Sequence, residues 1–246
     1  SNPNLDLKIA DALVDSKEYI PVLIKNPAAS SLLDKIARLD IIGFNREVAD
    51  RPNLPEKAIR YLAQDIEYEL TGYNASYYDP SSPNYHNYSS PNFEIHHLLV
   101  RRQDVPKEIL IEYLSELRDC GRGSCGMSSE NLAKIEKEVL SNEVRDFFFA
   151  STAKFNEFNL GRENYIDLLK ALGGSPKTSS ETLELFINLY ADTEVQELLR
   201  DNLDYIPNMK AIDALLIEKY PDWGSHEIPD LRNALRFAQK NLNERN

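Results

Sequence analysis

The chain has 246 residues, 42% of them hydrophobic and 28% charged, which is the composition of a folded protein rather than a disordered one. Its formal net charge is −12, and no cluster of Lys and Arg supplies the basic face that releases counterions from a phosphate backbone, so no nucleic-acid partner is expected. No apolar run approaches the roughly 20 residues that cross a bilayer, so no membrane partner is expected.

From the N-terminus onward one pattern recurs: a short polar turn, often with Pro, then a helix with apolar residues at helical spacing. Asn2-Pro3-Asn4-Leu5 precedes Leu7, Ile9, Ala10 and Leu13. Asn26-Pro27-Ala28-Ala29 precedes Leu32, Leu33, Ile36 and Ala37, and Arg51-Pro52-Asn53-Leu54-Pro55 precedes Ala58, Ile59 and Leu62. Asp104-Val105-Pro106 precedes Ile109, Leu110, Tyr113 and Leu114, and Ser175-Pro176-Lys177-Thr178-Ser179 precedes Leu183, Phe186 and Ile187. Pro3 and Pro27 lie 24 residues apart, Pro27 and Pro52 lie 25 apart, and Pro176 follows Pro52 by 124, close to five such periods. A second marker runs out of phase. Glu94-Ile95, Glu143-Val144 and Glu194-Val195, offset by 49 and 51, open helices carrying Leu98-Leu99, Phe147-Phe148 and Leu198-Leu199. Pro at a first helical position loses no hydrogen bond and has φ already set. Asn, Asp, Ser or Thr before it caps exposed N–H groups. Each short helix has one apolar face, which stacking of neighbours buries. From Ile206-Pro207-Asn208 the pattern loosens, and residues 206–246 read as looser repeats or a cap.

Residues 71–92 break the pattern. Tyr73, Tyr77, Tyr78, Tyr85 and Tyr88 stand there among Ser, Asn and Pro, the chemistry of adaptable binding loops. The functional reading is a partner-recognition loop; the structural one is an insertion that packs its own tyrosines over a helix pair. Asn74-Ala75-Ser76 and Asn87-Tyr88-Ser89 match the glycosylation acceptor pattern by composition alone. His86, His96 and His97 are close in sequence, but adjacent helical residues point about 100° apart, so His96 and His97 do not share one ion, and no metal site is expected. Gly121-Arg122-Gly123-Ser124-Cys125-Gly126 has the spacing of a dinucleotide fingerprint but follows a helix instead of a strand, and reads as an inter-helix loop. Cys120 and Cys125 are the only cysteines and do not make a disulfide framework. Phe147, Phe148, Phe149, Phe155, Phe158 and Tyr165 read as core. Two thiols that make no disulfide framework point to a reducing compartment, and a cytoplasmic location is expected. No nucleophile elbow, phosphate loop or zinc-protease motif is present, so no catalytic residue and no cofactor is expected.

The run Asn45-Arg46-Glu47-Val48-Ala49-Asp50-Arg51-Pro52-Asn53-Leu54-Pro55, continuing to Leu62-Ala63-Gln64-Asp65, resembles the variant leucine-rich repeat, a charged helix, an Asn-Pro-x-x-Pro turn and a Leu-rich helix. Asp192 through Glu194-Val195 to Leu198-Leu199 looks like the same first half. The resemblance implies short helices stacked into a superhelix, similar in style to HEAT-like solenoids, and a binding style rather than an activity. The iron–sulfur cluster of one member sits on a Cys-rich segment that two cysteines do not supply.

The expectation is therefore an all-α fold, an α-solenoid of short helix pairs with a period of about 25 residues. Residues 1–246 would form a single helical-repeat domain, with the 71–92 loop inserted. Its expected task is non-catalytic: a scaffold that binds a protein or peptide on a repeat face and the loop. The alternatives are a helical-repeat enzyme or ligand-binding protein (chromophore, lipid or base-excision type) and a structural spacer of a longer chain.

Overall fold

The computed structural model describes residues 6–64, 91–116, 127–152, 160–201 and 205–245. Every regular element among them is helical: fifteen α-helices and one 3-10 helix. The all-α class expected from the sequence is what the fold shows. The chain divides into two compact units, residues 1–113 and 114–246.

The first unit is made of short helices. Helix α1 (Leu7–Val14) starts where the Asp6 carboxylate accepts from the Lys8 N–H at 2.9 Å. Helix α2 (Ile20–Lys25) has Pro21 in its first turn, and Asn26 then accepts from the Ala28 N–H to start a 3-10 helix, Pro27–Leu32. Helices α3 (Leu33–Ala37), α4 (Ile42–Ala49), α5 (Glu56–Leu62), α6 (Pro91–Leu99) and α7 (Lys107–Glu116) follow. Lys17, Asp40 and Asn53 turn the chain between helices with φ near +55°. Each helix is too short to stand alone in water, and α2, α3 and α4 pack on helices close in sequence, whereas on α1 only Ala10 and Val14 are buried, and Leu7 and Ile9, read from the sequence as part of its apolar face, are exposed. Helix α2 packs on α4, α3 on α5, and α4 on α6. Ile20, Ile24, Leu33, Ile36, Ile42, Ile59, Leu62 and Ile95 form this core. Arg102 closes the unit's polar side. Its guanidinium donates to the carbonyl oxygens of Ala49 and Arg51, at the C-terminal end of α4, and forms a two-pronged pair with Asp104.

The second unit starts with α8 (Ser129–Lys134), capped by Ser128, and α9 (Glu136–Val139). It continues through α10 (Asn142–Thr152), α11 (Leu160–Gly174), α12 (Ser180–Tyr190), α13 (Thr193–Arg200), α14 (Ile206–Lys219) and α15 (Glu227–Asn243). Here the last helix is central: α15 packs on α11, α12, α13 and α14. The approach to α11 is close. A Cβ added at Gly173 would lie 2.5 Å from the Ala234 carbonyl oxygen and 3.2 Å from the Ala238 nitrogen. Asn241 donates to the Gly173 carbonyl, and Arg245 donates to the Thr178 carbonyl, so the end of α15 fastens the turn between α11 and α12.

Phe148 and Tyr165 are core residues, as the sequence suggested, with rings stacked 5.5 Å apart. Phe147 and Phe149 are half-buried, and Phe155 and Phe158 lie outside the described residues. The Tyr190 hydroxyl donates to the Tyr165 hydroxyl at 2.9 Å, and Tyr165 donates to the Val139 carbonyl at 3.0 Å. Burial pushes the Tyr165 phenol up to about 12 and the Tyr190 phenol higher still. Arg162 sits over the rings of Phe149 and Trp223 and pairs with the buried carboxylate of Glu227, which also accepts from the Gly224 N–H.

Among the described residues no helix is long and apolar enough to cross a membrane.

Candidate binding groove between three helices

Two caps place the walls of a groove in the second unit. Ser179 starts α12, its hydroxyl accepting from the Thr182 N–H at 3.2 Å. Glu136, arriving from α9, accepts from the Ser179 N–H, the Ser179 hydroxyl and the Thr182 hydroxyl. Burial alone would raise the Glu136 carboxyl, but these bonds outweigh it and hold it below the ordinary glutamate value. Asp192 starts α13 by accepting from the Val195 N–H at 2.9 Å. The break at Ala191-Asp192 ends α12 and starts α13, and α15 lies against both.

Between the three helices is a groove of about 270 Å3. Helix α12 contributes Glu184, Ile187 and Asn188, which share one face at spacings of three and four residues. Helix α13 contributes Gln196 and Arg200, and α15 contributes Gln239 and Leu242. Ile187 and Leu242 are buried and apolar, while Glu184, Asn188 and Arg200 are exposed. Gln196 is held in place: its Nε2 donates to the Asn188 Oδ1 at 3.2 Å and to the Ala191 carbonyl at 2.9 Å. The buried Gln239 donates from Nε2 to the Asn243 Oδ1 at 2.9 Å.

Apart from Ile187, read from the sequence as part of an apolar helix face, none of these groove residues stands in a pattern that marks it. The usable signal was Asp192 as a cap, which bends the chain and brings Asn188 and Gln196 together across eight positions. The loop tyrosines Tyr73, Tyr77, Tyr78, Tyr85 and Tyr88 lie outside the described residues, as do His86, Cys120, Cys125 and the Gly121–Gly126 run. His96 is buried on α6, edge-on to Tyr113 with ring centroids 6.3 Å apart, and the neighbouring His97 is half-buried. Among the described residues no three His, Cys, Asp or Glu side chains gather as a metal-binding group. Asn45 on α4 is wholly buried, and neither atom of its amide has a partner among the described residues.

Compared with family models, curated proteins and solved structures, the chain shows no match.

Proposed function

We propose that this protein is a non-catalytic scaffold of the α-solenoid type, binding a protein or peptide partner on a helix face and through the 71–92 loop. The observation that carries the reading is the surface of the first unit. Helices α1 and α2 leave Leu7, Ile9, Tyr19 and Val22 exposed, Ile9 at 60% and Val22 at 67%. Single exposed apolar residues are ordinary, but several on one helix pair favour a contact surface. The packing of α2 on α4, α3 on α5 and α4 on α6 supports the solenoid style of the first unit. So does the common register of α6, α10 and α13, in which Leu99, Phe148 and Leu199 occupy matching buried positions. The net charge of −12 favours partners with basic patches, which would associate faster at low salt.

The test is affinity capture from a lysate of the source cells, with the whole chain and two variants as bait. One variant carries Tyr73, Tyr77, Tyr78, Tyr85 and Tyr88 changed to Ser. The other carries Ile9→Ser and Val22→Ser, positions too exposed to weaken the core. Retention of one protein by the parent chain and its loss from either variant supports the scaffold and tells loop from helix face. Equal capture by all three removes both surfaces from the reading.

The same exposed residues favour a second reading, a structural spacer whose α1–α2 edge stacks on another helix pair. Concentration-dependent self-association, abolished by Ile9→Ser and Val22→Ser, would select it over the scaffold.

A further inference from the structure

The groove between α12, α13 and α15 holds hydrogen-bonding capacity that the fold does not use. The Gln196 Nε2 is committed to Asn188 and Ala191, which leaves the Gln196 Oε1 as an acceptor and the Asn188 Nδ2 as a donor. The Gln239 Nε2 is committed to Asn243, which leaves its Oε1 as an acceptor. These amides are held by their existing bonds, so they lose little rotamer freedom when a ligand arrives. The Arg200 side chain makes no hydrogen bond or ion pair among the described residues, and neither does the Glu184 side chain.

The complement of such a surface is specific. A peptide main chain carries one N–H donor and one C=O acceptor per residue, which matches side-chain amides offering both. A carboxylate matches the planar fork of an arginine. The volume of about 270 Å3 falls just below the roughly 300–1,000 Å3 of small-molecule pockets, which suits the last residues of a chain rather than a bulky ligand. The buried Ile187 and Leu242 give it an apolar floor.

We infer that this groove binds the C-terminal end of an extended peptide, its main chain on the amides of Asn188, Gln196 and Gln239 and its terminal carboxylate on Arg200. Resting on the scaffold reading, this gives the second unit a partner chemistry of its own. Glu184 adds a negative charge at the rim, which disfavours an acidic side chain beside the terminal carboxylate.

The experiment is a titration of the whole 15N-labelled chain, read on the side-chain amide signals of Asn188, Gln196 and Gln239. The probes are a degenerate tetrapeptide pool with free C-terminal carboxylates, the same pool amidated, and an amidated pool with an internal Asp. The free-acid pool is expected to move those three signals, and the amidated pools to leave them in place. Arg200→Ala should weaken the response about tenfold, the loss of one charge-assisted hydrogen bond. Because the exposed Arg200 side chain makes no hydrogen bond or ion pair among the described residues, the variant should keep the parent's helical circular dichroism and melting midpoint. Equal shifts with the amidated pools, no shift at millimolar pool, or an unchanged response in Arg200→Ala overturns the inference. Lysate capture separates this result from the scaffold reading: a partner held equally by the parent and Arg200→Ala, with no peptide response, leaves the scaffold and removes the groove.

Discussion

At the scale of single residues, the fold is governed by a few polar groups whose partners are fixed or missing. Asn45 has zero exposure on α4 and no hydrogen-bond partner for its amide among the described residues. A buried polar group without a partner costs about 1–3 kcal/mol, whereas an apolar group of similar shape costs nothing of that kind. Asn45→Leu is therefore expected to stabilise the protein by about 1 kcal/mol or more, read as a higher urea midpoint at unchanged slope. A lower midpoint would mean that the amide has a water or other partner worth keeping. Glu136 is the opposite case, a carboxylate with three donors across α9 and α12. Its folded value lies below the ordinary one, so its contribution is present above the ordinary glutamate value of 4.5 and is lost as pH falls through the folded value. In Glu136→Gln the midpoint should therefore fall at neutral pH, and the gap to the parent chain should narrow on acidification. Urea melts of both proteins at neutral and at acid pH check this, and a gap that stays constant would mean that the loss is one of packing.

At the scale of elements, helix starts were legible at Asn26, Ser179 and Asp192 because a cap is a local event, while Asp6 and Ser128 cap helices where no sequence marker had been read. Asp6, Asn26, Ser128, Ser179 and Asp192 each accept from a backbone N–H two or three residues on. Proline was less exact. Pro27 and Pro207 stand in first turns as the spacing implies, while Pro52 and Pro176 sit in turns ahead of their helices. The reason is that Pro fixes φ and removes a donor, conditions that a turn meets as well as a helix start. Gly173 was illegible, since nothing near it in sequence reveals the backbone of α15 pressed against it. Gly173→Ala would place a Cβ 2.5 Å from the Ala234 carbonyl. The two helices must then part, at a cost of about 1–3 kcal/mol. Thermal melting of the variant checks this, and an unchanged midpoint would show that α11 and α15 have room to separate.

At the scale of the whole molecule, the chain divides into two compact units after Tyr113. In the first unit, helices pack on near neighbours in sequence, whereas the second is tied by α15 to helices far earlier in the chain. Because that second core closes on itself, residues 114–246 alone are expected to fold, with helical circular dichroism and one cooperative melt. A non-cooperative melt would show that this unit depends on the first.

The sequence by itself determined the helical class, several helix starts and many of the buried positions. All three follow from interactions within a few residues of chain: caps, turn residues and the 3.6-residue period of apolar side chains. Tertiary structure alone decided where α15 lies, which glycine must stay a glycine, and which amides share a groove with Arg200. Those depend on contacts between residues tens of positions apart, and a helix of given period can satisfy its apolar face against many different partners.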